Sequence, residues 1–173
     1  MKNKFVIFSV FSSIALALDQ LTKVLARAYL IPLGDHGKPV IPGFFDLRYS
    51  ENPAAAFSFG AKWAWFRYVL FPLMFLCLGM IGYWLYKLPK NAKWNAMKLG
   101  LVAGGALGNI FDRVAFGKVT DFIVWKITTK SGVHAWPTFN LADAFLVVGL
   151  ILILLDWPRD RLQETAGPSA QQG

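Results

Sequence analysis

Four runs of apolar residues, about 5–29, 65–86, 96–111 and 141–157, constrain this chain more than any other feature. A helix needs roughly 20 apolar residues to cross a hydrocarbon core, so each run is long enough or nearly so. The third is short and rich in glycine, but its "LGLVAGGALG" spaces Gly100, Gly104 and Gly108 four apart. Such a stripe lets a neighbouring helix approach closely. With 55% of 173 residues hydrophobic and only 16% charged, the expected fold is an α-helical integral membrane protein with four transmembrane helices. One membrane-embedded domain over 1–157 and a flexible cytoplasmic tail over 158–173 follow from the same pattern.

Positive charge sets the orientation. Lys2 and Lys4 precede the first run; Lys87, Lys90, Lys93 and Lys98 crowd the short link after the second; Arg159 and Arg161 follow the fourth. With four crossings all three places fall on one side, which puts both termini in the cytoplasm and the two longer loops outside. Trp63, Trp65, Tyr83, Trp84, Tyr86, Trp136 and Trp157 lie near the ends of the runs, where amphipathic rings are favoured. The start also has the outline of a cleavable leader ending in "ALALD", but the helical pattern continues through "DQLTKVLARAYL" and argues for retention. In the outer loops "FFDLRYS" alternates and "VTDFIVWKI" is β-branched and aromatic, so both read as strands of a small extracytoplasmic sheet resting on the membrane. Period two puts Asp121 on one strand face with Val119, Ile123 and Trp125.

Several chemistries are excluded. Cys77 is the single cysteine, so no intrachain disulfide, redox pair or cysteine zinc site can form. His36 and His134 lack metal-ligand spacing, and no metal or cofactor is expected. The net charge of +8 is scattered between apolar runs, which suits anionic lipid and not nucleic acid.

An ionisable group at membrane depth costs several kcal/mol unless paired or wetted, which makes each one a functional candidate. Asp19 and Lys23 lie four apart on one helical face, with Arg27 a turn further, and read as a structural ion pair. Asn109, Asp112 and Arg113 share a face at the end of the third run, where Arg113 would hold the Asp112 carboxylate. Asn140 and Asp143 open the fourth, as ordinary N-terminal helix chemistry or as part of a site. With both loops outside, Asp112, Asp121 and Asp143 meet at one membrane face. Two carboxylates forced together share a proton and can act as base and acid at once. The same cluster could serve a proton relay or a scaffold that pairs helices; a relay, however, wants acids spread through the membrane depth.

Four motifs in order narrow the choice: "DQLTK" (Asp19 to Lys23), "ENPAAAF" (Glu51 to Phe57), "GNIFDRVAFGKVTDF" (Gly108 to Phe122) and "FNLADAF" (Phe139 to Phe145). Over nearly its whole length the chain resembles the lipoprotein signal peptidases, or signal peptidase II, bacterial inner-membrane aspartic proteases. The resemblance implies Asp121 and Asp143 as the catalytic pair, Asp112 and Arg113 as a supporting pair, and Asn52, Asn109 and Asn140 as lining residues. Asp19 and Lys23 match a first-span motif whose role looks structural. Ala54 stands where the family commonly has glycine. The implied substrate is a diacylglyceryl-modified prolipoprotein cut just before its lipidated cysteine. Membrane lipids are the other expected partner, and the chain is expected to act as a monomer.

Overall fold

Alternation of helix-forming apolar runs with short β-rich loops builds an α-helical body capped at one end by a sheet. A computed structural model describes residues 3–53, 66–129 and 132–165. The order is α1 (Lys4–Leu30), a 3-10 turn (Ile31–His36), β1 (Lys38–Ile41), β2 (Phe45–Asn52), α2 (Phe66–Lys87), α3 (Lys93–Phe116), β3 (Val119–Thr129), β4 (Gly132–Ala135) and α4 (Leu141–Thr165). Among the sequence features, Ala54, Ala56, Phe57, Trp63, Trp65 and the end of the tail from 166 lie outside the described residues.

Each expected helix is present. Two differ in length from the apolar runs that announced them. α3 covers 93–116 in place of 96–111, and α4 continues past 157 to Thr165. Hydropathy marks only the apolar part of a helix; flanks such as "KWN" and "RDRLQET" are polar and still extend it. α3 stops where Gly117 turns left-handed at φ 71°, its N–H donating to the Arg113 carbonyl. By length and composition, the stretch 4–36 containing α1 and the helix α3 are apolar enough to cross a membrane.

α1 is polar on the inside and apolar on the outside. Its buried residues Ser12, Ala15, Asp19, Lys23, Ala26 and Leu30 recur every three or four positions, whereas Val10, Ile14, Leu18, Leu21 and Leu25 are exposed. A water-soluble helix has the opposite polarity. α3 lies between α1 and α4. A Cβ on Gly104 would sit 2.5 Å from the Ser12 carbonyl oxygen, and one on Gly108 would sit 2.3 Å from Asp19 Oδ2. The glycine stripe therefore seats α1, as its spacing predicts. Gly105 does the same for α4, where a Cβ would meet the Ala142 carbonyl at 2.5 Å.

Two polar clasps close the end away from the sheet. Lys4 Nζ donates to the Tyr86 carbonyl at 2.8 Å and to that of Leu88, and Lys98 pairs with Asp156 at 2.8 Å. Lys4, the α2–α3 link and the late part of α4 thus share one end. The sheet, ordered β1-β2-β3-β4 and antiparallel throughout, occupies the other. β2 and β3 correspond to the two expected strands; β1 and β4 are short additions. Ala26 and Leu30 of α1 pack on Phe122, with Leu47, Tyr49 and Ile123 around them. From Val119 to Val124 every side chain of β3 is buried or half-buried, so burial does not follow the alternation of its faces, and the chain at Phe139 bonds along the strand's edge. From Trp125 onward the strand runs out into exposure.

Candidate active site

Four elements, β2, α3, β3 and the start of α4, deliver the polar residues to one place. Phe139 hydrogen-bonds β3 directly: its carbonyl accepts from Ile123 N at 2.8 Å, and its own N–H donates to the Ile123 carbonyl at 3.1 Å. The residue before Asn140 is thereby stitched next to Asp121. Asn140 then caps α4. Its Oδ1 accepts from Asp143 N at 3.0 Å, and Asp143 Oδ2 accepts from Asn140 N at 3.2 Å, a reciprocal capping box. The ordinary helix-start reading of Asn140 and Asp143 holds, and the same cap leaves Asp143 Oδ1 to accept from Asn109.

Asparagine amides join the two carboxylates. Asn140 Nδ2 donates to Asp121 Oδ1 at 2.7 Å, and Asn52 Nδ2 donates to Asp121 Oδ2 at 3.1 Å. Asn109 Nδ2 donates to Asp143 Oδ1 at 2.8 Å, and its Oδ1 accepts from Asn140 Nδ2 at 3.1 Å. Asp121 is 3% exposed, and burial together with the Asp143 charge pushes its carboxyl up to about 6 against the amides and Lys23. In β-register its strand neighbour is Ser50 of β2.

Asp112 departs from expectation in its partners. It faces α1 and the start of β3. Lys23 lies at 3.5 Å, Arg27 at 3.8 Å and Gln20 Nε2 at 3.2 Å, and Thr120 N donates to Asp112 Oδ2 at 2.9 Å. Arg113 turns the other way: its Nη1 donates to the Asn109 carbonyl at 3.1 Å, and its charge bears on Asp143, Asp121 and Asp112 in that order. Adjacent helical residues point about 100° apart, and Asp143 and Asp121 bear on Arg113 more than its sequence neighbour Asp112 does.

Asp19 and Lys23 form the expected ion pair at 2.9 Å, both fully buried. Each also does more. Asp19 Oδ1 accepts from Ala142 N at 2.9 Å in the first turn of α4, and Lys23 Nζ donates to Asn109 Oδ1 at 3.0 Å. Removing one partner of such a pair costs about 3–5 kcal/mol. Gln20 and Thr120 join this cluster with no spacing signal in the sequence, whereas Arg27 lies a turn beyond Lys23 as its spacing indicates. Arg27 Nη1 donates to Thr120 Oγ1 at 2.7 Å, so α1 and α3 both grip the residue preceding Asp121. Among the described residues no group of three or more His, Cys, Asp or Glu could hold a metal ion; His36 and His134 are exposed and apart.

The fold is that of a membrane enzyme. Two solved bacterial membrane enzyme structures superpose with TM-scores of 0.71 and 0.70 at 26% and 27% identity. The alignments cover 92% and 86% of this chain and 89% and 90% of theirs. The particular family follows from sequence: the description Signal peptidase (SPase) II matches residues 11–158, and the chain belongs to that family of peptidases. The lipoprotein signal peptidase of Geobacter metallireducens is 35% identical over 95% of this chain and 98% of its own length. That of Aeromonas hydrophila subsp. hydrophila is 39% identical over 90% of each.

Proposed function

We propose that the chain is an aspartic endopeptidase that removes signal peptides from prolipoproteins already carrying a diacylglyceryl group, cutting just before the lipidated cysteine. Carrying this reading is one observation: Asn140 bonds both Asp121 and Asp143, which reach it from a strand and a helix far apart in sequence. With Asp121 as the neutral and Asp143 as the ionised member of a pair that shares one proton, Asp143 takes a proton from water. Hydroxide adds to the scissile carbonyl carbon while Asp121 donates to its oxygen. The tetrahedral diol then collapses: the C–N bond breaks, the proton held by Asp143 passes to the leaving amine, and one hydroxyl proton returns to Asp121 as the carboxylic acid product forms. Asn52, Asn109 and Asn140 orient the carboxylates and substrate, and Arg113 stabilises developing negative charge. Asp112, with Arg27, fixes the β3 backbone. No metal or cofactor takes part.

The helices cross the bacterial inner membrane four times, with both termini cytoplasmic and the site at the extracytoplasmic face. Support comes from the apolar outer face of α1 and from the gathering of Lys4, the α2–α3 link and Lys98 at the end remote from the sheet. Acyl chains then lie against the helices while the peptide enters at the sheet, and the chain works as a monomer. The test is a gel-mobility assay on diacylglyceryl-modified prolipoprotein with chelator present, comparing wild type with Asp121→Asn after matching their thermal melts. Cleavage by wild type and none by Asp121→Asn is expected. A wild-type rate from Asp121→Asn would remove Asp121 from the chemistry, and no cleavage by either would favour a transporter or scaffold.

A further inference from the structure

We infer that Lys23 is a positioning residue for Asp143: its ammonium group fixes the orientation of the Asn109 amide, so that Asn109 presents a hydrogen-bond donor to the Asp143 carboxylate. This rests on the Asp121–Asp143 reading and goes beyond the structural pairing of Lys23 with Asp19.

An asparagine side chain turned end for end keeps its shape and exchanges acceptor for donors, so its neighbours decide which way it lies. Lys23 can only donate. Its Nζ is 3.0 Å from Asn109 Oδ1, so the carbonyl end of Asn109 has to face α1. Asn140 is fixed by a second obligate donor, the Asp143 backbone N–H at 3.0 Å on its Oδ1, which turns its NH2 toward Asn109 Oδ1 and Asp121 Oδ1. The Asn109 carbonyl thus receives two donors, leaving its NH2 for Asp143 Oδ1 at 2.8 Å. Turning Asn109 over would set NH2 against the ammonium and against the Asn140 NH2, and carbonyl against carboxylate. Lys23 cannot swing away, being fully buried and held by Asp19 at 2.9 Å and Asp112 at 3.5 Å. Those carboxylates offset much of its charge and what remains bears on Asp121, whereas orientation is what passes through Asn109 to Asp143. The groups that bear on Asp143 are then Arg113 and Asp121 by charge, and Asn109 and Asn140 by hydrogen bond.

The test uses Asp19→Asn as the reference, because it breaks the ion pair and keeps an acceptor for Ala142 N and the Lys23 bond to Asn109. Onto it, Lys23→Met removes the donor at similar volume and returns the net charge to that of wild type; Lys23→Gln supplies an uncharged N–H donor instead. Full-length variants are purified in detergent and assayed on diacylglyceryl-modified prolipoprotein. The Met variant should lose at least about tenfold in kcat relative to the reference at unchanged KM and melting temperature. Its pH profile should be displaced, and the Gln variant should recover most of the loss. Met and Gln variants that both match the reference, or that lose kcat and melting temperature together, would overturn the inference. Should the Met variant fail to fold, Lys23→Leu takes its place as the donor-free variant and is judged against the reference and the Gln variant by the same outcomes. Asp143→Asn is run alongside. If it cuts at the wild-type rate the dyad reading itself falls; if it is inactive while Met and Gln match the reference, only the role of Lys23 falls.

Discussion

Asp121 has an amide on each of its oxygens, from Asn140 on one side and Asn52 on the other, and both amides favour the ionised carboxylate. Burial and the neighbouring Asp143 charge outweigh them and bring the carboxyl to about 6 from an ordinary value near 4. If the neutral member of the pair donates to the scissile carbonyl, the competent form exists below that value and is lost as pH rises through it. kcat/KM should therefore fall on an alkaline limb centred near pH 6, belonging to the pair and not to one residue alone. Asn52→Ala removes a bond that lowers the carboxyl, so the limb should move to higher pH; a limb that stays put or moves lower would separate Asn52 from Asp121. Of these residues, Asn109, Asn140 and Asp143 stand out in the sequence as polar groups beside apolar runs and Asp121 as an acid on a strand, whereas Asn52 comes only with the family motif that holds it. The partners of Asp112 do not stand out. Thr120 N, Gln20 and Arg27 reach it from distant strand and helix positions, and bonds across such separations leave no spacing signature.

At the scale of elements, α3 is the helix on which the others are set, and its glycines are what permit the approach. Gly104 has the Ser12 carbonyl and Ala15 Cβ within 2.5 and 2.7 Å of where a Cβ would stand, and neither belongs to a flexible side chain end. Gly104→Ala should push α1 off α3 and lower stability by about 1–3 kcal/mol, the usual cost of overpacking. Gly79 in α2 meets nothing within 4 Å, so Gly79→Ala should be neutral or gain up to about 1 kcal/mol from helix propensity. Thermal melts of the two variants in one detergent check the contrast; equal losses would show that backbone approach is not what Gly104 provides. A fourfold spacing of glycines is readable in a sequence, and with it the close approach of some helix to α3; that the helix is α1 shows only in the fold. The reach of α4 to Thr165 was hidden, since neither the end of the apolar run nor Pro158 marks the end of the helix. β1 and β4 were hidden too, as four-residue strands at a sheet edge are defined by their partners more than by their own composition.

For the whole molecule, the two ends have opposite characters. One gathers lysines and the Lys4 and Lys98 clasps; the other carries a sheet whose rim exposes Phe44, Trp125 and Trp136. A bilayer between them reconciles the polar interior of α1 with its apolar exterior, because lipid repels neither while a buried ion pair stays neutral. The four-crossing reading then fixes which solvent each end meets, and accessible single cysteines can decide it. Cys77, exposed on α2, is first replaced by serine. Cysteine is then placed at Lys90 in the α2–α3 link or at Lys38 in β1, both exposed. In cells with the outer envelope permeabilised and the inner membrane intact, a membrane-impermeant thiol reagent should label Lys38→Cys and spare Lys90→Cys until the membrane is broken. Labelling of Lys90→Cys alone would invert the protein and place the aspartates on the cytoplasmic side, away from any exported substrate. Labelling of both in intact cells would mean an even number of crossings between them, and α1, α3 and α4 would have to hold the site without α2 spanning the bilayer.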